Sequence, residues 1–359
     1  MTLGDLGADV IKVERPITGD DTRSWGPPWV GSTSTYYLTA NRNKRSITLD
    51  LSLASDRVLA KRLAQRADVL IENFMPGTMQ KYGLGYDDLH ELNPRLIYCS
   101  ITGFGTKGAG ASLPGYDFLV QAASGLMSIT GENDGPPLKV GAALVDMICG
   151  LYATTGILAA LQARHSTNEG QLLEVSLMDA ALSSLLNQGS AFLNAGNIPE
   201  RQGNRHPSIV PYQLYNAADA SIVIAVGSDG IWRRLCDAMD LTSLKDDSRF
   251  TQNCDRVINI NELNAILAKK FGERPANQWI DLLTAAGVPA GSVNNVEQGY
   301  ALAEKLEAEP IITTLNVEGN TIRTARSPLR MSGTPVTVRT APPMLGEHNA
   351  EIRHWLEQQ

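Results

Sequence analysis

Short runs of β-branched and apolar residues alternate with helical patterns through the first half of the chain. The runs that predict strands cover residues 8–14, 46–51, 67–73, 96–105 and 170–177. Between them, residues 55–67 place Val58, Leu59 and Leu63 on one helical face, which predicts a crossover helix. Strands that alternate with crossover helices form a parallel sheet with helices on both faces. The pattern therefore predicts an α/β fold with an open, Rossmann-like parallel sheet.

The pattern changes in the second half and divides the chain. Helices are predicted over residues 116–128, 144–165 and 178–193. A Gly-, Asn- and Pro-containing stretch at 195–215 is typical of an irregular linker. After it, a strand is predicted at 221–226 and helices at 229–240, 254–271 and 275–286. We predict a large α/β domain over residues 1–195, a linker over 196–216, a smaller α+β domain over 217–309 and a return to the large domain over 310–359.

Composition and charge narrow the range of partners. The 359 residues carry a formal net charge of −7 without a Lys/Arg run that would track a phosphate backbone, so nucleic acid is not an expected partner. The most apolar run, residues 147–163, includes glycine, threonine and glutamine, so we expect a buried helix and not a membrane span. The cysteines lack CxxC spacing and are interpreted as buried thiols in a reducing compartment: Cys99, Cys149, Cys236 and Cys254.

The sequence contains no Walker loop and no HExxH motif, and of its five histidines only His348 and His354 lie near each other. Residues 103–108, GFGTKG, have GxGxxG spacing after a predicted strand, but the Gly- and Pro-containing residues 109–115 that follow do not predict the helix that a dinucleotide-binding motif opens. The sequence also lacks a GxSxG nucleophile elbow and a cysteine in an activating context. We therefore expect no metal and no permanently bound cofactor, and carboxylate chemistry remains.

Asp146 is a lone acid at the start of a long apolar pattern, KVGAALVDMICGLYATTGILAAL. Acids in the first turn of a helix are stabilised by exposed amides and by the positive end of the helix dipole, so a structural role is one interpretation. The alternative uses the same physics: amide donors keep the carboxylate ionised while apolar surroundings exclude water, which leaves it able to attack an activated carbonyl. The pattern alone leaves both interpretations open.

Other polar residues are open to the same two kinds of interpretation. His206 fits a linker histidine bonded to backbone. The turn at 226–230 fits strand-to-helix punctuation in which Ser228 or Asp229 caps the helix. Arg15 is either a surface charge or a ligand contact, since it follows a strand at the edge where open α/β sheets bind ligands.

Several sequence segments occur in an order that is typical of one enzyme family. They are LGADVIKVERP with GDDTR, NRNKRSITLDL, ENFMPG with YGLGYDDL, NPRLIYCSITGFG, PGYD, the Asp146 segment and LGEHN. Together they resemble the class III CoA-transferase family of the CaiB/BaiF type, which includes formyl-CoA transferase and the 2-methylacyl-CoA racemases. The resemblance covers nearly the whole chain. It implies an interlocked homodimer in which the active site lies between one chain's large domain and its partner's small domain.

The resemblance implies that Asp146 is the catalytic nucleophile. In the implied mechanism it attacks an acyl-CoA thioester, forms a mixed anhydride and then an aspartyl-CoA thioester, and an acceptor acid reverses these steps. The family's racemases pair the same aspartate with a histidine in a GHD motif, because moving an α-proton needs two acid/base groups. This chain has Tyr116 between Gly115 and Asp117, and tyrosine is a poor proton shuttle near neutral pH. Transfer is therefore favoured over racemisation, the alternative activity.

Position within the family motifs also implies ligand contacts. The residues matched to CoA contacts are Arg15, Asn73, Phe74, Met75, Lys81, Thr102, Gly103, Phe104 and Gly105. Met75 stands where the family often has an arginine. Gly227 and Gly230 belong to a turn that resembles the family's glycine-bearing loop over the active site. The most similar family branch acts on succinyl-CoA with glutarate or hydroxymethylglutarate, so Arg205 or His206 is expected to bind the acceptor's distal carboxylate.

The chain opens with MTLGDLGADVIKVE, a pattern typical of the last turn of a helix that runs into a strand. Family members carry a further strand and helix ahead of this pattern, so we expect that the first βα unit, which helps to bind CoA, is missing. A third interpretation is therefore an inactive CoA-binding homologue. The expected location is the cytoplasm, or the mitochondrion in a eukaryote. The expected partners are acyl-CoA, carboxylic acids and a second copy of the chain, with no membrane.

Overall fold

The computed structural model describes residues 1–358, which form helices and strands largely where the hydrophobic pattern places them. The helices are α1 (Thr2–Asp5), α2 (Thr35–Leu38), α3 (Ala54–Arg66), α4 (Thr78–Lys81), α5 (Tyr86–Leu92), α6 (Asp117–Ala123), α7 (Leu144–Thr167), α8 (Leu177–Ser183), α9 (Leu186–Ala195), α10 (Asp229–Ala238), α11 (Asn253–Ile258), α12 (Ile260–Phe271), α13 (Ala276–Ala285), α14 (Val296–Lys305) and α15 (Asn349–Glu357). The strands are β1 (Val10–Glu14), β2 (Trp29–Val30), β3 (Thr33–Ser34), β4 (Lys44–Thr48), β5 (Val69–Glu72), β6 (Ile97–Thr102), β7 (Leu172–Ser176), β8 (Tyr212–Asn216), β9 (Ser221–Ala225), β10 (Ala290–Ser292), β11 (Ile311–Leu315) and β12 (Thr321–Ala325).

The predicted α/β fold class with parallel strands is confirmed. Strand β1 pairs in parallel with β4, with Val10 opposite Lys44 and Glu14 opposite Thr48. A second parallel ladder joins β5, β6 and β7, with β6 in the centre. Strand β6 is an almost continuous buried run, as expected of a central parallel strand. The five strand runs predicted in the first half thus correspond to β1, β4, β5, β6 and β7.

The chain divides into two compact units. The first comprises Met1–Ser124, Gly141–Leu186 and Ala303–Gln359, and the second comprises Gly125–Val140 and Asn187–Leu302. The predicted linker at 196–216 lies inside the second unit. The Gly203 N–H donates to the Gly131 carbonyl (3.0 Å), and the Arg201 guanidinium donates to the Glu132 carbonyl (3.3 Å). These bonds join segments far apart in sequence, which is why hydrophobic periodicity does not group residues 125–140 with the linker.

The second unit is α+β and has its own hydrophobic core. Strand β9 lies between β8 and β10 in an antiparallel sheet. Trp232, Phe271 and Trp279, from α10, α12 and α13, are fully buried. The Trp279 indole N–H donates to the Phe271 carbonyl (2.8 Å), which satisfies the polar end of this buried ring.

The long apolar helix α7 buries only one of its faces. The residues on the buried face recur every three or four positions: Val145, Cys149, Ala153, Ile157 and Ala160. On another face Met147, Leu151 and Leu158 are 56%, 51% and 45% exposed. The expectation of a buried helix is therefore wrong for this second face within the single chain. By length and composition α7 could cross a membrane, but core helices of soluble proteins pass the same test.

Several local features differ from the sequence-based expectations. The pattern at 178–193 forms two helices, α8 and α9, because the chain turns at Leu186 with a φ of 47°. The pattern at 254–271 likewise divides into α11 and α12 at Asn259. Cys254 is exposed, so its interpretation as a buried thiol is wrong, whereas the other three cysteines are buried. Strand β8 and helix α14 are absent from the sequence-based prediction.

The segment that leads into α2 is anchored by the buried carboxylate of Glu14. This carboxylate accepts hydrogen bonds from Arg23 Nε (2.8 Å), Arg23 Nη2 (2.7 Å) and Ser46 Oγ (2.6 Å). Burial alone would raise the pKa of Glu14, but the bonds from Arg23 and Ser46 lower it below its usual value. Arg23 also donates to the Tyr37 hydroxyl (2.6 Å). Tyr36, the preceding residue on α2, packs edge to face against Trp25, with ring centroids 4.9 Å apart.

Candidate active site

Asp146 lies in the first turn of α7, as the sequence predicts, but its carboxylate is not the one bonded to the helix amides. The backbone N–H groups of Val145 and Asp146 donate instead to Oδ2 of Asp117, at 2.8 and 3.2 Å. The expectation that these amides hold the Asp146 carboxylate is therefore wrong. The Asp146 side chain has no hydrogen bond or ion pair within residues 1–358.

Asp117 begins α6, and both of its carboxylate oxygens are engaged. Oδ2 accepts the two α7 amides, and Oδ1 accepts a hydrogen bond from Gln121 Nε2, one turn further along α6 (2.5 Å). The Gln121 side chain is fully buried, so the surrounding core fixes this contact. Asp117 thus supplies the N-terminal cap of a neighbouring helix, whose own N-cap residue has no side-chain bond.

Burial and charge act together on the Asp146 carboxyl group. Burial, and after it the negative charge of Asp117, raises the pKa of Asp146 above its usual value. Asp146 keeps contact with solvent, so burial raises its pKa less than it would raise the pKa of a fully enclosed carboxyl group. Burial, and then the charges of Asp146 and Asp117, raises the pKa of Tyr36, so this phenol stays protonated at neutral pH. Burial, with a smaller effect of Asp146, raises the pKa of Cys149 to about 11, which leaves this thiol a poor nucleophile.

Two glycines bring the end of β6 against the segment that leads to Asp117. The backbones of Gly103 and Gly115 lie so close that a Cβ atom on Gly115 would be 2.2 Å from the Gly103 Cα atom. The Gly103 carbonyl also accepts a hydrogen bond from the Met178 N–H in α8 (3.0 Å). A side chain larger than hydrogen does not fit at either position, and the contact therefore sets where α6 begins.

The residues matched to CoA contacts lie mainly after the carboxyl ends of strands. Arg15 follows β1 and forms an ion pair with Asp21. Residues 73–75 follow β5, with the phenylalanine and methionine of this turn exposed, and residues 102–105 span the end of β6. Lys81 is exposed at the end of α4. These positions agree with the ligand-binding edge of a parallel sheet, and contact with CoA stays a prediction.

A cavity of about 160 Å³ lies beside strands β5 to β7. Met75, from the matched CoA set, lines it together with Ser100, Glu72 and Glu174. The charged side chains on its wall are acidic, so the cavity itself is a poor site for a phosphate.

The expected acceptor residues Arg205 and His206 lie in the second unit, where they line a cavity of about 260 Å³ together with Arg201. His206 Nδ1 accepts a hydrogen bond from the Ser208 N–H (3.0 Å), as expected of a linker histidine bonded to backbone. The Arg205 side chain has no partner in the described part of the chain, and Glu200 lines the cavity without an ion pair to either arginine there. Arginine side chains beside a cavity suit an anionic ligand.

The turn that contains Gly227 and Gly230 leads into α10. The Ser228 hydroxyl caps this helix by accepting a backbone N–H of its first turn (3.3 Å), and Asp229 forms an ion pair with the buried Arg256 (2.7 Å). The interpretation of this turn as a strand-to-helix connection with a helix cap is confirmed. Neither glycine is among the residues that line the cavity beside Arg205, and their contact with a ligand stays a prediction.

Sequence reasoning missed Tyr36 and the role of Asp117. Tyr36 lies in a TYYL run without any motif and far from Asp146 along the chain, so no local pattern connects the two. The i, i+4 spacing of Asp117 and Gln121 does indicate a side-chain pair on one helix. The bonds from Asp117 to the α7 amides have no counterpart in the sequence pattern.

Comparison with known proteins identifies the family. CoA-transferase family III matches residues 1–349 of this chain. The chain belongs to this family, and it is a class III CoA-transferase, an enzyme that uses CoA thioesters as substrates.

Named relatives and a solved structure agree with this assignment. Succinate–glutarate CoA-transferase of Agrobacterium fabrum is 44% identical, over 99% of this chain and 90% of its own length. Succinyl-CoA:glutarate CoA-transferase of Homo sapiens is 39% identical, over 98% of this chain and 80% of its own length. The crystal structure of a CaiB/BaiF family protein from Brucella suis is 41% identical with a TM-score of 0.86, over 99% of this chain and 93% of that one. The family expected from the sequence motifs is confirmed.

Substitution of Gly115 tests the contact between the two loops. Gly115→Ala is expected to displace Asp117 and the start of α6, because the added methyl group would overlap the Gly103 backbone. We expect the initial rate of CoA transfer to fall about 10- to 100-fold, the size of effect that a displacement of roughly 1 Å has in an active site. Gly299→Ala on α14 is the control, since a Cβ atom there meets no atom within 4 Å. Equal rates for the two variants would contradict the role given to the Gly103–Gly115 contact.

Proposed function

We propose that this enzyme moves CoA from succinyl-CoA to a dicarboxylic acid, such as glutarate or hydroxymethylglutarate, and that Asp146 is its nucleophile. The observation that carries the proposal is that the Asp146 carboxylate has no hydrogen-bond or cation partner within residues 1–358. It lies at the start of α7 beside a second acid, and the nearby amides bond to that second acid instead. A carboxylate without a cation or a hydrogen-bond donor keeps its lone pairs available for attack on a thioester carbonyl.

The proposed chemistry is a series of acyl exchanges on Asp146. Its carboxylate oxygen attacks the thioester carbon of succinyl-CoA, the C–S bond breaks, and a mixed anhydride and CoA thiolate result. The thiolate attacks the Asp146 carbonyl carbon, which releases succinate and leaves an aspartyl-CoA thioester. The acceptor carboxylate attacks this thioester and frees the thiolate, which then attacks the acceptor carbonyl and restores the Asp146 carboxylate. No net proton transfer is needed, so the protein's main task is to hold the reacting groups together.

The residue at position 116 supports transfer over racemisation. A racemase of this family uses a histidine where this chain has Tyr116, as the motif resemblance implies. The Tyr116 side chain is 67% exposed in the single chain, and no hydrogen bond or ion pair activates its phenol within residues 1–358. An unactivated phenol is a weak general base near neutral pH.

The acceptor cavity supports a dicarboxylate as substrate. Arg205 is the residue proposed to bind the distal carboxylate, with His206 beside it, because a guanidinium group binds a carboxylate through two parallel hydrogen bonds. The names of the relatives from Agrobacterium fabrum and Homo sapiens both include glutarate. Under the proposal, the cavity of one chain serves the nucleophile of the second chain, as the family resemblance implies.

We also propose that the matched residues after β1, β5 and β6 bind the CoA thioester and that no cofactor is bound permanently. Within residues 1–358, no group of three or more His, Cys, Asp or Glu side chains could hold a metal ion. The proposed location remains the cytoplasm, or the mitochondrion in a eukaryote.

A homodimer is part of the proposal. On the exposed apolar face of α7, Met147, Leu151 and Leu158 keep about half of their surface accessible within residues 1–358. Leu186 and Leu193 on α9 are 75% and 79% exposed. Exposed apolar faces of this kind mark interaction surfaces, and a second copy of the chain is the occupant that the family resemblance implies.

A transfer assay with a panel of acceptors tests the proposed function. The protein is incubated with succinyl-CoA and glutarate, hydroxymethylglutarate or butyrate, and the acyl-CoA products are measured by mass spectrometry. We expect efficient transfer to the two dicarboxylates and little to butyrate. Arg205→Met should raise KM for glutarate about 10-fold or more, because one charge-assisted hydrogen bond contributes about 1.5–3 kcal/mol, and should leave the low rate with butyrate unchanged.

The control is Arg233→Met, which removes an exposed arginine from α10 in the same unit. Equal activity on butyrate and glutarate would contradict the dicarboxylate proposal. Exchange of an α-proton of a 2-methylacyl-CoA with deuterated solvent would instead indicate racemase activity. A folded protein with neither activity would match an inactive homologue.

A further inference from the structure

Two acids lie in the first turns of two different helices, and one of them accepts backbone donors from the helix of the other. Asp117 opens α6 and Asp146 is in the first turn of α7. The free amides at the start of α7 bond to Asp117, at 2.8 and 3.2 Å, although Asp146 belongs to the helix itself. Gln121 holds the second oxygen of Asp117, so this carboxylate has a donor on each side.

We infer that Asp117 is a positioning residue for the reaction of Asp146. It occupies the amides at the start of α7, which fixes the first turn of this helix and leaves the Asp146 carboxylate without a bond to these donors. The inference rests on the proposed function of Asp146 as nucleophile and assigns a separate task to the second acid.

Hydrogen bonds from the α7 amides would lower the reactivity of the Asp146 carboxylate as a nucleophile. A carboxylate that accepts two backbone N–H bonds at a helix N-terminus is stabilised in its ionised form, and its lone pairs are engaged. Attack on a thioester would then require those bonds to break. When Asp117 accepts them, Asp146 attacks without that loss, while the first turn of α7 remains capped.

The charge of Asp117 has a second effect, on the pH at which Asp146 ionises. The titratable groups that interact with Asp146 are Asp117 from α6, Tyr36 from α2 and Cys149 from α7 itself. None of these is a cation at neutral pH, and no lysine, arginine or histidine pairs with Asp146 within residues 1–358. The negative charge of Asp117 disfavours a second negative charge nearby, so its removal should let Asp146 ionise at lower pH.

The test compares Asp117→Asn with Asp117→Ala in single-turnover experiments with succinyl-CoA. The readout is the rate at which the aspartyl-CoA adduct forms, followed by intact-protein mass between about pH 4 and pH 8. Asparagine accepts helix amides nearly as well as aspartate but carries no charge. Its NH2 group then faces Gln121, whose side-chain amide must rotate to present its oxygen in place of Nε2. Asp117→Asn is therefore expected to keep the rate at neutral pH within a few-fold of the wild-type rate and to shift the pH midpoint downward. Asp117→Ala loses the cap as well, so its pH midpoint should shift in the same direction and its rate above the midpoint should fall about 10- to 100-fold.

Asp179→Asn is the matched control, because Asp179 is another first-turn acid but is exposed, lies on α8 and accepts a hydrogen bond from Ser176 (2.6 Å). Its pH midpoint and rate should equal those of the wild type. An unchanged midpoint in Asp117→Asn, or a wild-type rate in a folded Asp117→Ala, would overturn the inference. If the wild-type protein itself forms no adduct, the proposed function fails instead, so the two failures are distinguishable.

Discussion

Asp146→Ala is expected to abolish the covalent adduct and to lower the rate of CoA transfer by a factor on the order of 10⁴ or more, as loss of a catalytic nucleophile typically does. The wild-type protein should gain the mass of CoA less one water after brief incubation with succinyl-CoA, because thioester formation is a condensation, and hydroxylamine should release the CoA. The physical reason is that the neighbouring groups are poor substitutes for Asp146: Cys149 is buried with a pKa of about 11, and Asp117 is engaged by three hydrogen bonds.

The same variant should remain as stable as the wild-type protein. The Asp146 side chain makes no hydrogen bond or ion pair within residues 1–358, and the amides of α7 are capped by Asp117. We therefore expect the free energy of unfolding to change by less than about 0.5 kcal/mol, as for an ordinary surface substitution. Asp146→Asn is the isosteric companion, with the same expected loss of the adduct. A CoA adduct that persists in either variant and is released by hydroxylamine would place the nucleophile elsewhere.

Arg42→Met is expected to destabilise the first unit by about 3–5 kcal/mol, because it removes one partner of a buried ion pair. Arg42 and Asp5 are 1% and 3% exposed, and the guanidinium donates to the Asp5 carboxylate at 2.7 and 3.0 Å. A further nitrogen of Arg42 donates to Thr324 Oγ1 (2.8 Å) on β12. The substitution leaves the Asp5 charge buried with a single side-chain donor, Asn43. The measurement is a urea titration of the free energy of unfolding.

A neighbouring arginine offers a matched control for this prediction. Arg45 pairs with Asp9 and Glu351, whose side chains are 64% and 59% exposed. Arg45→Met should therefore cost no more than about 1 kcal/mol. The double variant Arg42→Met/Asp5→Leu removes both buried charges and should recover most of the lost stability. Equal destabilisation by Arg42→Met and Arg45→Met would show that burial of the first pair does not govern its contribution.

The parts of the fold that could be predicted are those encoded by local periodicity. Runs of β-branched residues correspond to β1, β4, β5, β6 and β7, and the apolar pattern from residue 144 corresponds to α7. A strand or a helix repeats every two or 3.6 residues, so a window of ten positions contains enough information to identify it. The same window identified Asp146 as an isolated acid in an apolar pattern, but it did not distinguish a structural role at the helix terminus from a role as nucleophile.

Breaks within elements were harder to predict than the elements. The patterns at 178–193 and 254–271 each contain two helices because single residues, Leu186 and Asn259, leave helical geometry. Neither is a glycine or proline, the residues that usually mark such breaks in a sequence. The grouping of residues 125–140 with the second unit depends on bonds such as Gly203 to Gly131, which periodicity does not encode.

The sequence by itself determined the elements, the fold class and, through motifs in a fixed order, the family, because each depends on residues close together in the chain. The tertiary structure decided the chemistry of the site. In the folded chain the first amides of α7 donate to Asp117 and not to Asp146. The backbones of Gly103 and Gly115 are in contact, and one face of α7 is exposed. These features depend on which groups meet in space. A donor bonds to the acceptor that packing brings nearest, and that acceptor here lies 28 or 29 positions away along the chain.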